Sequence, residues 1–233
     1  MAFFYVPDIY QDILSLSIEE SKHCIKALRK KEGDTIQLTD GRGGLATAEI
    51  SSASLTDCIV HIINREIVPP RNGKLHIAVA PTKNSDRMEW FVEKAVEIGI
   101  EKISFIICDH SERDKIDLQR LHRIAVSALK QSQTYYLPEM EIVDFKSFIH
   151  HQPNNEMEKL IAWCDDNNTE QLSGQVLQNK EVQILIGPEG DFSESEILMA
   201  KELNYKEIKL GNRRLRTETA ALYCCCVMAA KNN

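Results

Sequence analysis

After residue 74 the chain alternates short apolar runs with helical patterns, and that alternation restricts it to few folds. The runs are Leu75 to Ala80, Ile103 to Cys108, Leu160 to Trp163, Val182 to Ile186 and Glu207 to Leu210. Between them, Met88, Phe91, Val92 and Ala95 recur at helical spacing, as do Leu118, Leu121, Ala125, Ala128 and Leu129. Near-continuous apolar strands separated by helices predict an α/β unit built on a parallel sheet. Asp86 with Glu89, and Ser193 with Glu196, stand at capping-box spacing, the second pair opening a helix through about Leu203. The last helix, about Glu218 to Lys231, carries AALYCCCVMAA and is apolar on nearly every side. Such a helix is expected to be buried all round, by other elements or by a second subunit.

The texture before residue 74 is different. Short runs at Ala2 to Val6, Thr35 to Thr39, Leu45 to Ser51 and Cys58 to Ile63 are separated by turn-rich pieces such as DGRGG at 40–44. This spacing predicts a small β barrel. One helix, from Ser17 or Ile18 to Lys30, interrupts it, with Ile18, Ile25 and Leu28 able to share a face. The segment REIVPPRNGK at 65–74 joins a Pro-Pro pair to an Asn-Gly turn signal, so two domains are expected, at residues 1–70 and 73–233.

Composition removes several function classes. The formal charge of −7 argues against broad affinity for nucleic acid, although Arg29, Lys30, Lys31 and Arg213, Arg214, Arg216 form local basic clusters. Seven cysteines without CxxC spacing suggest reduced, mostly buried thiols, neither a disulfide framework nor a zinc site. Cys224 to Cys226 point in three directions on one helix, which suits packing and not metal capture. Histidines 61, 76, 110, 122, 150 and 151 show no metal-ligand spacing, and His150-His151 before Gln152-Pro153 reads as a loop. Met1 to Pro7 lack a basic leader and the longest apolar stretch is well short of a span, so a cytoplasmic protein without membrane or metal is expected.

In an open parallel sheet, ligands bind beyond the carboxyl ends of the strands. Three loops lie there: Cys164-Asp165-Asp166, GPEGDF at 187–192 and GNRRLR at 211–216. The glycines of the second permit close backbone approach and its proline stiffens it, as a flat polar ligand requires, but a plain strand-to-helix turn fits too. Walker A and strand-linked GxGxxG patterns are absent. The third loop sets three arginines and Glu218 before the most apolar helix. Either Thr217 caps that helix and the arginines are solvated, or Arg216 and Glu218 face a ligand or RNA.

Read together, LIGPEGDF at 185–192 and LGNRRLRTETA at 210–220 resemble the two signature loops of the ribosomal RNA small subunit methyltransferase E family, which belongs to the SPOUT, or trefoil-knotted, methyltransferases. The likeness runs the whole length. HCIKALR at 23–29 with Gly33-Asp34 is similar to the family's amino-terminal PUA-like segment, and KAVEIG at 94–99 and Gln131-Ser132 to Pro138 to its intermediate motifs. Asp191 stands where the family usually has a third glycine, Arg214 where it has an aliphatic residue and Thr134 where it often has an arginine.

The resemblance implies an α/β-knot domain after a PUA-like RNA-binding barrel, a homodimer, and S-adenosylmethionine as cofactor. It also implies methylation at N3 of one uridine, with small-subunit ribosomal RNA or the assembled subunit as partner. Cofactor-binding residues would be Trp163, Ile186, Gly187, Pro188, Glu189, Gly190, Leu210, Gly211, Arg214 and Leu215. Uracil N3 carries a proton at neutral pH, so transfer needs a base beside a cation, for which Glu218 and Arg216 are the candidates. His23, Arg29, Lys30 and Arg213 would contact RNA. Three alternatives remain at this level: another RNA, a ribose 2′-hydroxyl, or a ribosome-associated RNA-binding module without catalysis.

Overall fold

The computed structural model describes residues 2–151, 157–163, 170–175 and 178–232. The chain folds into two compact units, one of residues 1–70 with 126–137 and one of residues 71–125 with 138–233. Residues 126–137, which the sequence reading assigned to the carboxyl-terminal domain, group instead with the first unit.

In the first unit, β1 (Phe3–Tyr5), β2 (Ile13–Ser15), β3 (Thr35–Thr39), β4 (Gly44–Ser52) and β5 (Ile59–Ile67) form one sheet in the order β1-β3-β4-β5-β2. Alternate residues Ile36, Leu38, Ala46, Ala48, Ile50 and Val60 point into a core shared with Phe4 and Cys24. The strand β2 escapes the sequence reading because three residues carry no period. The expected helix is two pieces: α1 (Ile18–Lys22), N-capped by Ser17, and a π-helical turn at His23–Ala27. The predicted stripe is wrong, for Ile18 and Leu28 are exposed, whereas Glu20, Ser21 and Cys24 are buried. The wide turn shifts the face, and Ser21 is held inside by its hydroxyl, which donates to Leu16 O (3.1 Å) and accepts from Cys58 N (3.0 Å). Beyond the turn, Arg29 adopts φ 56° while Lys30 N bonds Cys24 O, the helix-ending geometry usually given to glycine.

The second unit holds a six-stranded, all-parallel sheet. Its strands are β6 (Lys74–Val79), β7 (Lys102–Ile107), β8 (Glu139–Asp144), β9 (Glu158–Ala162), β10 (Glu181–Ile186) and β11 (Lys206–Ile208), in the order β11-β9-β10-β6-β7-β8. Helices α2 (Ser85–Ile98), α3 (Leu118–Ser132), α4 (Phe145–His150), α5 (Leu172–Gln175), α6 (Glu194–Glu202) and α7 (Thr217–Asn232) connect or follow them. The strand β8, EMEIVD, lies at the sheet edge and is half exposed, so it has no continuous apolar run to betray it. The helix α4 is too short, at six residues, to show a helical period although Phe145, Phe148 and Ile149 are buried, and His150 ends that helix instead of lying in a loop. At the start of α2 the predicted Asp86–Glu89 box is replaced by Asn84, whose side chain accepts from Asp86 N (3.0 Å), while Glu89 binds Arg120 (2.6 Å). The Ser193–Glu196 box is present, and Glu196 also accepts from Asp109 N (2.9 Å), tying the loop after β7 to α6.

Inside the sheet a polar chain crosses four strands. Tyr205 donates to Gln183, Gln183 Nε2 donates to His76 Nδ1 (2.8 Å), His76 Nε2 meets Ser104 Oγ (2.7 Å), and Ser104 donates to Glu141 (2.6 Å). Tyr205, Gln183, His76 and Ser104 are buried and the chain ends on half-exposed Glu141, so each buried polar group finds a partner and the chain favours a single register. Among the described residues, no helix is long and apolar enough to cross a membrane.

A candidate cofactor cavity beyond the strand ends

Register decides where the loops begin. Ile186 on β10 stands opposite Val79 on β6 and Ala162 on β9, and Ile208 on β11 stands opposite Ala162. The chain therefore leaves β9, β10 and β11 at one level, and Trp163, Gly187 and Lys209 start their loops side by side. Between these loops lies a cavity of about 860 Å³, within the range of small-molecule sites. Trp163, Ile186, Gly187, Pro188, Glu189, Leu210, Gly211, Arg213, Arg214, Leu215 and Arg216 all line it. The Cys164-Asp165-Asp166 loop lies outside the described residues.

Gly190 was expected among them and does not line the cavity. A Cβ at that position would meet His110 Cβ at 3.2 Å, so the residue faces the loop after β7. The cavity is also lined by Asp191 and Asn212, which the sequence reading placed in the two loops without a cofactor role, by Thr217, which it read as a cap, and by Ala162, Ile208, Lys209 and Ala220, which it passed over. The strand-end rule could have flagged the residues flanking each strand, but not the first turn of α7.

Two glycines are favoured by geometry, one by a close approach and one by its backbone angle. A Cβ on Gly187 would stand 3.1 Å from the Phe192 ring, and Gly211 holds φ 131°. The first loop closes as a turn through Asp191 N to Pro188 O (2.9 Å), with Asp191 at φ 65°. An aspartate tolerates that conformation better than most residues, and its carboxylate accepts from Phe192 N (2.9 Å). Burial raises its pKa, opposed by the Phe192 N–H and by the charges of Arg214 and His110. Arg214 meanwhile donates to Glu189 O (3.4 Å). Two of the three residues that depart from the family pattern, Asp191 and Arg214, thus line the cavity without closing it. Thr217 does not cap α7; its hydroxyl donates to Gly187 O (3.1 Å) and joins the two loops.

Arg216 and Glu218 part company. Arg216 is exposed at the cavity, whereas Glu218 is buried beside it and turns to Arg87 on α2, with Nε to Oε1 at 3.8 Å. Arg216 ends the loop before α7 while Glu218 lies in its first turn, and the two side chains leave in different directions, so near neighbours in sequence are not a pair in space. Arg87 also approaches Glu189 Oε1 (4.0 Å), so one guanidinium stands between two carboxylates. Glu218 Oε2 is buried and takes no hydrogen bond from any described residue. Nothing in the linear pattern singled out Arg87, which is separated from Glu218 by more than half the chain.

In the first unit, His23 and Arg29 are exposed, His23 lying edge-on to Phe4, and Lys30 is half-buried with its ammonium donating to Thr35 O (3.4 Å). Cys24, Cys58, Cys108, Cys224 and Cys225 are buried and Cys226 is exposed; Cys164 lies outside the described residues. Burial raises the buried thiols, Cys24 to about 12. Among the described residues, no three His, Cys, Asp or Glu side chains are placed to hold a metal ion.

Comparison with known proteins agrees with this geometry. A family model for the RNA methyltransferase domain matches residues 69–229, and one for the RNA methyltransferase PUA domain matches residues 17–63. The crystal structure of a probable rRNA-methyltransferase from Porphyromonas gingivalis superposes with a TM-score of 0.93 at 40% identity, covering 100% of this chain and 98% of that one. The ribosomal RNA small subunit methyltransferase E of Neisseria gonorrhoeae, solved bound to S-adenosyl methionine, gives 0.85 at 26% identity, covering 99% and 97%. The protein of the same name in Mesomycoplasma hyopneumoniae is 30% identical over 171 residues, 71% of this chain and 72% of that protein. With matched domains in both halves and a relative of this identity, the chain belongs to the ribosomal RNA small subunit methyltransferase E family.

Proposed function

We propose that this protein is a cytoplasmic S-adenosylmethionine-dependent methyltransferase that modifies N3 of a uridine in small-subunit ribosomal RNA. The observation that carries the reading is the cavity of about 860 Å³ enclosed by the 187–192 and 210–216 loops, at the strand ends where α/β sheets bind ligands. Its donor set fits the cofactor. Ile186, Leu210 and Leu215 supply apolar cover, Gly187 and Gly211 bring bare backbone to the wall, and Glu189 and Asp191 offer carboxylates. When bound, the cofactor supplies the methyl group as an electrophile.

The chain's own residues must then strip the N3 proton and steady the resulting anion. Glu218 suits the first task, having one buried oxygen that meets no hydrogen-bond donor among the described residues while the other faces Arg87. Arg87 acts as a positioning residue, balancing Glu218 and Glu189, and exposed Arg216 at the cavity faces the anion. The exposed His23 and Arg29, with Lys30 and Arg213, make phosphate contacts. The outer face of α7, where Tyr223 and Cys226 are exposed and Leu222 and Ala229 half-buried, fits a homodimer contact, because a helix this apolar should not be left to water.

The test is methylation of unmodified small-subunit rRNA and of assembled small subunits, with nucleoside analysis of the product by mass spectrometry. The expected product is 3-methyluridine, with calorimetric binding of S-adenosylmethionine that Leu215→Arg abolishes. A 2′-O-methylated nucleoside, or modification of transfer RNA alone, would overturn the target. Absence of cofactor binding would overturn the enzyme and leave an RNA-binding module.

A further inference from the structure

The second unit contains a further cavity, of about 620 Å³, which the cofactor reading does not use. It lies where α2 and α3 start, beyond the carboxyl ends of β6 and β7, between the first turn of α2 and the 113–121 segment. Its floor is apolar, from Met88, Ile116 and Leu121, and Ser85 stands at its edge. The first turn of α2 separates it from the cofactor cavity: Asp86 and Met88 line the smaller space, while Arg87 between them reaches Glu189 on the wall of the larger one.

The charges around it are unevenly matched. Arg120 is paired with Glu89 at 2.6 Å, and Asp117 is engaged by Arg120 N at 3.0 Å. Arg113 and Lys115 line the cavity and, among the described residues, neither meets a carboxylate. Arg113 is moreover only partly exposed. A guanidinium drawn partly out of water without an anion gains most from a phosphate, which its fork can hold by two bonds. Asp86 lines the same cavity and can accept a hydrogen bond from a base N–H.

We infer that this cavity is a subsite for one nucleotide of the RNA strand, with the phosphate on Arg113 and Lys115 and the base over Met88, Ile116 and Leu121. The inference rests on the methyltransferase reading and adds to it a place for RNA on the α/β unit itself. Stacking on an apolar floor with a phosphate clamp at the edge is the chemistry by which unpaired nucleotides are held. A nucleotide seated there would be separated from the cofactor cavity by the first turn of α2.

The experiment compares wild type, Arg113→Ala/Lys115→Ala and the control Lys180→Ala, whose exposed lysine lies at the opposite ends of the strands. Each is titrated with unmodified small-subunit rRNA over a range of salt, with cofactor binding and tryptophan fluorescence as measures of an intact unit. The double variant should bind roughly tenfold more weakly, and its plot of log affinity against log salt should be shallower by about one. Cofactor affinity should be unchanged, and the control should match wild type. In parallel, 4-thiouridine-substituted rRNA should crosslink to the peptide that contains Ile116 and Leu121. Wild-type affinity in the double variant, an equal loss in the control, or crosslinks confined to other peptides would each overturn the subsite. If those outcomes accompany normal methylation by wild type, the methyltransferase reading stands and the subsite alone falls. A wild type that neither binds cofactor nor methylates rRNA removes both.

Discussion

Acidification should destabilise the second unit through a single histidine. His76 is 8% exposed, packs edge-on to Phe148 at 5.6 Å, and uses both ring nitrogens inside the polar chain of the sheet. Burial, aided by the nearby Lys102 ammonium and partly offset by Glu141, pushes its pKa down to about 4, against 6.5 for the free side chain. Below pH 6.5 the unfolded chain binds a proton that the folded chain refuses until about pH 4. The stabilisation is thus complete above 6.5 and disappears as pH falls across that window. At 1.36 kcal/mol for each pH unit, the loss is about 3 kcal/mol, a large part of ordinary domain stability. Both tryptophans, Trp90 and Trp163, belong to the second unit, so urea denaturation followed by their fluorescence reads that unit separately. Wild type and His76→Gln, which keeps an amide in the chain but does not titrate, should converge in stability between pH 7.5 and 4. Stability curves that stay parallel over this range, or a His76 NMR resonance titrating near 6.5 in the folded protein, would refute the reasoning.

Other consequences are independent of that one. Glu196 is 1% exposed and accepts from both Ser193 N and Asp109 N, so Glu196→Ala should lower the denaturation midpoint of the second unit by an amount equivalent to about 2 kcal/mol. Arg29 sits at φ 56°, where glycine is unstrained; Arg29→Gly should stabilise the first unit by about 1 kcal/mol while weakening rRNA binding, and unchanged affinity in a filter assay would remove its RNA role. Arg87→Ala should abolish turnover with cofactor affinity retained, and Arg87→Lys should restore part of it; full turnover in Arg87→Ala would dismiss the positioning role. Tyr223→Asp should shift the protein toward monomer in analytical ultracentrifugation, and a wild type that is itself monomeric at micromolar concentration would rule out the α7 contact.

Much of the second unit could be read before any coordinates. The strands β6, β7 and β10 and the helices α2, α3, α6 and α7 announce themselves because burial on a parallel sheet demands unbroken apolar runs, and helices on its faces demand a stripe. Where burial is partial or an element is short the signal fades: half-exposed β8 at the edge, six-residue α4, three-residue β2, and the π-helical turn that turned Ile18 and Leu28 outward all escaped. The two cavity loops were found through their glycines and their place after strands, since backbone demands of that kind are written locally. The knot implied by the family resemblance has no local signature at all.

What the tertiary structure alone decided is who faces whom. Chemistry at adjacent positions suggested an Arg216–Glu218 pair, and glycine content suggested a cavity role for Gly190. Arg216 stays on the loop at the cavity while Glu218, in the first turn of α7, turns to Arg87, and a turn at Pro188 to Asp191 points Gly190 at His110 instead. Arg87, Glu189 and Glu218 come from three separate elements and meet because parallel strands in register end at one level. Local sequence determines each strand, turn and cap through short-range sterics and hydrogen bonding, but a site assembled from the ends of several strands depends on their order and register, which only packing of the whole sheet sets.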